Sequence, residues 1–365
     1  MGAMNMPVDR MQKVIRQDVQ SMHGYAIQPS TGLVKLDAME NPFRLPAALQ
    51  HELGERLGRV AINRYPVKCI DDVVAALTPF VGVPRGCKLM LGNGSDELIS
   101  MLSMAVDVPG ASILAPLPGF VMYEMSARLQ GVPFVGVPLT ADFELDEAAM
   151  LAAIDKHRPS ITYIAYPNNP TANLFDDAIV DKIVAAVAAQ GHGLVVFDEA
   201  YQPFSSRTWM DRMANRPHVL VMRTLSKFGL AGVRLGYLAG AEALIDEINK
   251  VRPPYNVSVL NAEATLFAIE HGDEFARQAA VLRAQRERLQ QALKAMPGVK
   301  PFPSEANMLL VRVPDSKRAF QGMRTRGVLV KNIAGLHPLL ANCLRLTVGT
   351  PEENTAMIDA LKASL

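Results

Sequence analysis

Two cations lie among small and apolar residues in the segment TLSKFGLAGVRLGYLAG, residues 224–240. Lys227 carries an amine, and an amine that is buried beside other cations loses its charge and becomes a nucleophile near neutral pH. Arg234 carries a planar guanidinium, which binds phosphates and carboxylates through two parallel hydrogen bonds. Since most lysines and arginines lie at the surface and most glycine-rich stretches are loops, the segment indicates a site only if further polar groups converge on it.

Three polar segments that follow apolar runs are candidates for that convergence. GNGSDE (92–97) follows KLML, NNPTAN (168–173) follows ITYIAYP, and DEAY (198–201) follows GLVVF. Ligands bind at the carboxyl ends of strands in open α/β sheets, and glycines before a helix start expose N–H groups that suit a phosphate. Each segment alone is also compatible with an ordinary turn, a helix cap or a strand-end acid.

Single residues exclude two common nucleotide-binding motifs. A Rossmann fingerprint needs glycine at the position of Glu97, and the Gly-Lys dipeptide of a P-loop occurs nowhere in the chain. A nicotinamide oxidoreductase is therefore excluded. The apolar run before Asp198 is similar to a Walker B strand, but without a P-loop an ATPase is excluded as well.

The histidines and cysteines form no metal-binding motif, so no metal site is predicted. His51-Glu52 begins like the zinc motif HExxH, but Glu55 stands where the second histidine is required. The cysteines are odd in number and far apart, which indicates reduced thiols in a reducing compartment and neither a disulfide framework nor a zinc site. They are Cys69, Cys87 and Cys343.

Composition and charge narrow the class of protein further. The 365 residues are 49% hydrophobic and carry a formal net charge of +1, which argues against a nucleic-acid or polyanion binder. No apolar run reaches the length of a transmembrane helix. Because charges begin at Asp9 and no apolar signal-peptide core is present, we expect a cytoplasmic protein.

Alternating apolar runs and helical periodicity, from about residue 67 to 240, predict the fold class. Continuous Val/Ile/Leu runs fed by helices indicate an α/β protein with a mostly parallel central sheet flanked by helices. Helical stretches near 259–272 and 274–296, three strands and a closing helix follow, which predicts a smaller α+β domain. The predicted units are an N-terminal arm (1–40), a large domain (41–257) and a small C-terminal domain (258–365).

The order of these motifs along the chain resembles that of the fold-type-I pyridoxal-phosphate (PLP) aminotransferases, and the resemblance spans nearly the whole chain. It implies that Lys227 forms a covalent bond with the cofactor aldehyde and that Arg234 binds the cofactor phosphate. It also implies that Asp198 faces the pyridine nitrogen and keeps it protonated. The small residues around Lys227 would let the backbone approach the ligand closely.

The same resemblance assigns the remaining contacts to the cofactor. Asn169 and Tyr201 would hydrogen-bond the ring oxygen O3′, and Phe120 matches the aromatic residue that stacks on the ring. The phosphate would be held beside Arg234 by three further residues, Ser95, Asp96 and Ser226.

Within that family, the chain resembles the histidinol-phosphate aminotransferases. The segments that carry this resemblance are KLDAMENP, INRYP, GNGSDE, FVMYEMSA, FDEAY, TLSKFGLAGVRLGY and CLRLTVGT. It implies transamination of L-histidinol phosphate with 2-oxoglutarate, which gives imidazole-acetol phosphate and L-glutamate in histidine biosynthesis. Two positions depart from the family pattern, since Met39 replaces the commoner Asn and Ala172 replaces Gly, and neither carries chemistry.

Further residues match the family's substrate site. Arg345 would bind the substrate phosphate in one half-reaction and the carboxylate of glutamate in the other, because a guanidinium accepts either anion. Lys331 would either add charge for the substrate phosphate or lie solvated at a strand end. Tyr25 matches a tyrosine of the arm that closes over the substrate. Tyr65 matches one that reaches the cofactor phosphate of the neighbouring subunit, which implies a homodimer.

Other functions of the same fold stay open at this stage. An aromatic amino-acid aminotransferase would use other amine donors, and a threonine-phosphate decarboxylase would release CO₂ without 2-oxoglutarate. A non-catalytic PLP-binding module of a regulator normally brings a DNA-binding segment. The predicted arm is too short for one and shows no helix-turn-helix pattern.

Overall fold

The computed structural model describes residues 8–22, 24 and 28–365. The chain divides into two compact units, Met1–Gly32 and Leu33–Leu365. The described part of the first unit contains helices α1 (Val8–Val14) and α2 (Gln17–Gln20). The predicted division into an arm, a large domain and a small domain, with boundaries after residues 40 and 257, stays a prediction.

The second unit alternates strands and helices along most of its length. Its strands are β1 (Val34–Lys35), β2 (Cys87–Gly92), β3 (Ile113–Leu117), β4 (Phe134–Pro138), β5 (Ile161–Ala165), β6 (Leu194–Asp198), β7 (Val219–Thr224), β8 (Gly236–Ala241), β9 (Lys300–Pro301), β10 (Met308–Arg312), β11 (Val328–Leu329), β12 (Lys331–Asn332) and β13 (Cys343–Thr347). Its α-helices are α3 (Ala47–Gly58), α4 (Cys69–Phe80), α5 (Ser95–Ala105), α6 (Met122–Gln130), α7 (Glu147–His157), α8 (Asp177–Ala189), α9 (Glu242–Asn249), α10 (Val259–Glu270), α11 (Gly272–Lys294), α12 (Ser316–Thr325) and α13 (Pro351–Lys362).

Within the described residues, seven strands form a central sheet in the order β2-β8-β7-β6-β5-β3-β4. Strand β8 runs antiparallel to β2 and β7, and the other neighbouring pairs are parallel. Successive side chains of β6 and β7 enter opposite apolar clusters, for example Phe197 in one and Val196 in the other. Because both faces of the sheet are buried, these strands are apolar without alternation. The predicted α/β fold with a mostly parallel sheet is confirmed.

A second sheet is built from the last third of the chain, in the order β12-β13-β10-β9, with antiparallel pairing throughout. Apolar residues of α11, α12 and α13 pack against its strands in a cluster of their own. Helix α13 begins at a capping box, in which the Thr350 side chain and the Glu353 side chain satisfy each other's backbone N–H groups. Because β13 pairs with β10 on one side and β12 on the other, the sheet fixes the position of the strand that carries Arg345.

The two positions that depart from the family pattern share one backbone feature. Met39 has a φ of 54° and Ala172 a φ of 68°, so both adopt the left-handed conformation. Asn and Gly tolerate that conformation better than other residues, which explains why the family favours them there. Both residues are buried, so the surrounding structure holds them in place.

No helix among the described residues is long and apolar enough to cross a membrane.

Candidate active site

The carboxyl ends of three neighbouring parallel strands bring the predicted polar segments together. Asp198 is the last residue of β6, Asn169 follows β5, and Ser226 follows β7. The backbone links the first two segments directly, because the Tyr166 N–H donates to the Asp198 carbonyl at 2.8 Å. The segments that the sequence singled out separately therefore lie at one edge of the sheet, where ligands bind in open α/β folds.

Lys227 lies in a wide turn, Ser226–Leu230, directly after β7. Its Nζ donates a hydrogen bond to the backbone carbonyl of Ala38 at 2.9 Å. Burial and the nearby positive charge of Arg345 lower the pKa of Lys227 to about 8. The amine is thus uncharged in an appreciable fraction of molecules near neutral pH, which a nucleophile or a base requires.

A candidate anion-binding cradle lies at the start of α5, where the glycines of GNGSDE predicted one. Arg234 Nη1 donates to Ser226 Oγ at 2.9 Å, and Arg234 Nη2 lies 3.6 Å from Asp96 Oδ2. A Cβ atom at Gly94 would fall 2.6 Å from that Nη2, and one at Gly236 would fall 2.8 Å from the backbone nitrogen of Ser95. The glycines therefore allow a guanidinium, a hydroxyl and the free N–H groups of a helix start to converge.

Asp198 is buried, and each of its two carboxylate oxygens accepts one hydrogen bond. Its Oδ2 accepts the hydroxyl of Tyr123 at 2.6 Å, and its Oδ1 accepts the backbone N–H of Ala200 at 3.1 Å. Burial raises the pKa of Asp198 to about 6, and the two hydrogen bonds oppose that rise. A buried carboxylate at this position would interact strongly with a protonated ring nitrogen, since few water molecules screen it.

Arg345 connects the second sheet to the same edge. Its Nη1 donates to Asn169 Oδ1 at 2.8 Å, and its Nη2 donates to the Asp37 carbonyl at 3.0 Å. Lys331 pairs directly opposite Arg345 in the register of β12 and β13, so the two side chains leave the sheet on the same face. Tyr201 is buried nearby; burial raises its pKa, and the positive charge of Arg345 opposes the rise.

The chain is similar to known proteins in sequence and in fold. Residues 31–361 match the family described as aminotransferase class I and II. The chain belongs to this family. The histidinol-phosphate aminotransferase of Methylibium petroleiphilum is 73% identical over 98% of this chain and 96% of that protein, and that of Polaromonas naphthalenivorans is 66% identical over 98% and 97%.

Solved structures of aminotransferases confirm the fold at low sequence identity. The histidinol-phosphate aminotransferase of Sinorhizobium meliloti, in complex with pyridoxal-5′-phosphate, is 22% identical with a TM-score of 0.81 and covers 96% of each chain. The enzyme of the same name from Clostridium acetobutylicum has a TM-score of 0.82 at 19% identity, covering 90% of this chain and 98% of that one.

The structure of this aminotransferase shows the surroundings of two further predicted site residues, Tyr65 and Phe120. Tyr65 is 72% exposed, and its ring stacks on that of Tyr255 at 4.4 Å. Phe120 meets the edge of the Tyr123 ring at 5.6 Å. Tyr25 lies outside the described residues.

Sequence reasoning overlooked two residues that shape the site of the aminotransferase. Glu97, which served only to exclude a Rossmann motif, accepts the Asn93 N–H and the Asn256 side-chain amide, each at 2.6 Å. It thereby fixes the loop before α5. Tyr123 lies three residues after Phe120, at the start of α6, and its place in FVMY was the available signal.

The described residues contain no group of three or more His, Cys, Asp or Glu side chains that could hold a metal ion.

Proposed function

We propose that this protein is a PLP-dependent aminotransferase that moves the amino group of L-histidinol phosphate to 2-oxoglutarate. The products are imidazole-acetol phosphate and L-glutamate, a step of histidine biosynthesis. One structural observation carries the proposal: the Lys227 amine lies under the electrostatic influence of two guanidinium groups, Arg234 and Arg345. One of them suits a cofactor phosphate, and the other suits the anionic group of a substrate.

The residues at this edge of the sheet fit PLP. The cradle at the start of α5 is suited to the cofactor phosphate through Ser95, Ser226 and Arg234. The Asp96 carboxylate lies toward Arg234, so its contribution to phosphate binding would come through its backbone N–H. When bound, PLP supplies an aldehyde that bonds to amines and a protonated ring that withdraws electrons from the substrate carbon.

The chain's own side chains would orient the cofactor and move the proton. The buried Asp198 carboxylate would hold the proton on the ring nitrogen, and Asn169 and Tyr201 would hydrogen-bond the ring oxygen O3′. Phe120 would pack against one face of the ring. Lys227, with a pKa of about 8, would take the proton from the carbon that bears the substrate amine. It would then give that proton to the aldehyde carbon of the cofactor.

Arg345 would bind the anionic group of each substrate in turn. Histidinol phosphate carries a phosphomethyl group where glutamate carries its α-carboxylate, and a guanidinium forms paired hydrogen bonds with either anion. Lys331 projects from the same face of the sheet, so it would add positive charge for the phosphorylated substrate. Tyr25 would close over the bound substrate.

An exposed apolar patch supports a homodimer. Tyr65 stacks on Tyr255, and Ile62 and Val67 lie within three residues of Tyr65 in the chain; this patch of four side chains is more than half exposed at each position. Large exposed apolar side chains that cluster in this way mark interaction surfaces. We propose that a second copy of the chain covers the patch and that Tyr65 reaches the cofactor phosphate of that copy. We also propose that the enzyme acts in the cytoplasm.

A panel of amine donors tests the proposed substrate. Purified protein would be assayed with 2-oxoglutarate and L-histidinol phosphate, L-phenylalanine, L-tyrosine or L-aspartate, and kcat/KM compared. We expect the highest value for histidinol phosphate. A higher value for an aromatic amino acid would instead indicate an aromatic aminotransferase, and CO₂ release from threonine phosphate without 2-oxoglutarate would indicate a decarboxylase.

A further inference from the structure

Tyr123 contacts two residues of the proposed cofactor site, Asp198 and Phe120. It belongs to α6, and its side chain is 2% exposed. Its hydroxyl donates to Asp198 Oδ2 at 2.6 Å, a short bond of the kind that an ionised acceptor forms. The other oxygen of Asp198 is held by the Ala200 N–H. The carboxylate is therefore fixed by two donors, one from α6 and one from the turn that follows β6.

Aromatic contacts hold the Tyr123 ring in place from two sides. The ring stacks on Tyr163 of β5 with centroids 4.2 Å apart and an angle of 5°. The ring of Phe120, the proposed stacking partner of the cofactor, meets it at 5.6 Å and 84°. Because buried rings packed in this way have little freedom, the hydroxyl of Tyr123 reaches Asp198 with a fixed direction.

Asp198 needs such a donor because its surroundings disfavour a negative charge. Burial raises its pKa to about 6, and the negative charges of Asp96 and Glu199 act in the same direction. Glu199 itself is paired with Arg223 at 2.8 Å. Tyr163 and Tyr201 are also buried close to Asp198. Two hydrogen bonds lower the pKa of Asp198 and so favour the ionised carboxylate, and the bond from Tyr123 has the larger effect.

We propose that Tyr123 is a positioning residue for the transamination, whose hydroxyl keeps the Asp198 carboxylate ionised and directed toward the ring nitrogen of the cofactor. This inference rests on the proposed function. Tyr123 would not touch the substrate or the cofactor. Its effect would be confined to the strength of the interaction between Asp198 and the ring nitrogen.

A cofactor analogue isolates that interaction. In 1-deazapyridoxal 5′-phosphate a C–H group replaces the ring nitrogen, so the analogue keeps the phosphate and the aldehyde but cannot pair with Asp198. The full-length protein, freed of cofactor, would be titrated with PLP and with the analogue. The dissociation constant of the analogue divided by that of PLP then measures the contribution of the ring nitrogen, independently of enzymatic activity.

The chain offers a matched control for the removal of one hydroxyl. Tyr123→Phe keeps the ring stack and loses the bond to Asp198. Tyr163→Phe removes the hydroxyl of the stacked neighbour, which is equally buried and hydrogen-bonds to none of the described residues. We expect Tyr123→Phe to lower the ratio about tenfold and Tyr163→Phe to leave it unchanged. In a protein that already carries Asp198→Asn, Tyr123→Phe should not change the ratio further.

The possible results separate the inference from the proposed function. If Tyr123→Phe weakens PLP and the analogue equally, or weakens neither, Tyr123 only packs and the inference is wrong. An effect of the same size in the Asp198→Asn background would also overturn it. If the wild-type protein binds neither PLP nor the analogue, both the inference and the proposed function are wrong. Should Tyr123→Phe not fold, Tyr123→Met fills similar space without a donor and is expected to give the same lowered ratio.

Discussion

Arg345 and Asn169 share a hydrogen bond of 2.8 Å, from the Arg345 Nη1 to the Asn169 Oδ1. Arg345 belongs to the antiparallel sheet near the end of the chain, and Asn169 follows a strand of the central sheet. The bond therefore links the proposed substrate-binding cation to a proposed cofactor-binding amide. A substrate anion that binds Arg345 would be placed beside the cofactor ring by this link.

The low pKa of Lys227 predicts how the rate of cofactor capture depends on pH. The protonated amine is inert and the neutral amine reacts, so capture of PLP by the cofactor-free protein should slow about tenfold per pH unit below about pH 8. Above that pH the rate should level off. Borohydride reduction after short incubations, followed by peptide mapping, measures capture and should place the pyridoxyl group on Lys227. A label on another lysine, or a rate that levels off only near pH 10.5, the ordinary pKa of lysine, would contradict the assignment.

Replacing Asp198 tests the proposed contact with the ring nitrogen. Asp198→Asn removes a charge-assisted hydrogen bond, which is worth roughly 1.5–3 kcal/mol, so kcat should fall about 10–150-fold. PLP should still bind, because the phosphate contacts at α5 remain. A variant with the wild-type kcat would show that Asp198 does not face the ring.

A pair of glycine substitutions tests the phosphate cradle. Gly94 and Gly110 have nearly equal φ angles of 82° and 84°, so an alanine at either costs about 1–2 kcal/mol of folding stability. Only at Gly94 would the new Cβ meet Arg234, whereas the space around Gly110 is open. Gly94→Ala should therefore weaken PLP binding, and Gly110→Ala should not. Pyridoxal, which lacks the phosphate, should bind both variants alike; if Gly94→Ala weakens the binding of pyridoxal and of PLP equally, the phosphate binds elsewhere.

Mixed subunits test whether Tyr65 acts across a dimer interface. Tyr65→Phe should weaken PLP retention by about 1 kcal/mol, the value of one hydrogen bond. In a heterodimer of Tyr65→Phe and Lys227→Ala chains, a tyrosine that acts across the interface would complete the site that has the intact lysine, because the tyrosine of that site comes from the Lys227→Ala chain. This site should then retain PLP as tightly as a wild-type site. If it retains PLP as weakly as the Tyr65→Phe homodimer, the role across the interface is ruled out.

Much of the fold followed from the sequence because continuous apolar runs such as LVVF and ITYIA are typical of strands buried on both faces. The end of each run also located Asp198, Asn169 and Lys227 at one edge of the sheet. The contacts between distant segments could not be read in this way. The bond from Tyr123 to Asp198 and the bond from Lys227 to the Ala38 carbonyl depend on how α6 and the 36–41 segment pack against the sheet, and no local pattern encodes that packing.

The most direct test of the account is the effect of Arg345→Lys on the two half-reactions, measured separately in single turnovers. Lysine keeps the charge but loses the planar fork, so kcat/KM should fall about 5–150-fold with histidinol phosphate and with glutamate alike. Lys331→Ala serves as the comparison, since it should impair the phosphorylated substrate much more than glutamate. If Arg345→Lys slows only the glutamate half-reaction, the substrate phosphate binds elsewhere, and an ordinary amino-acid aminotransferase becomes the better account.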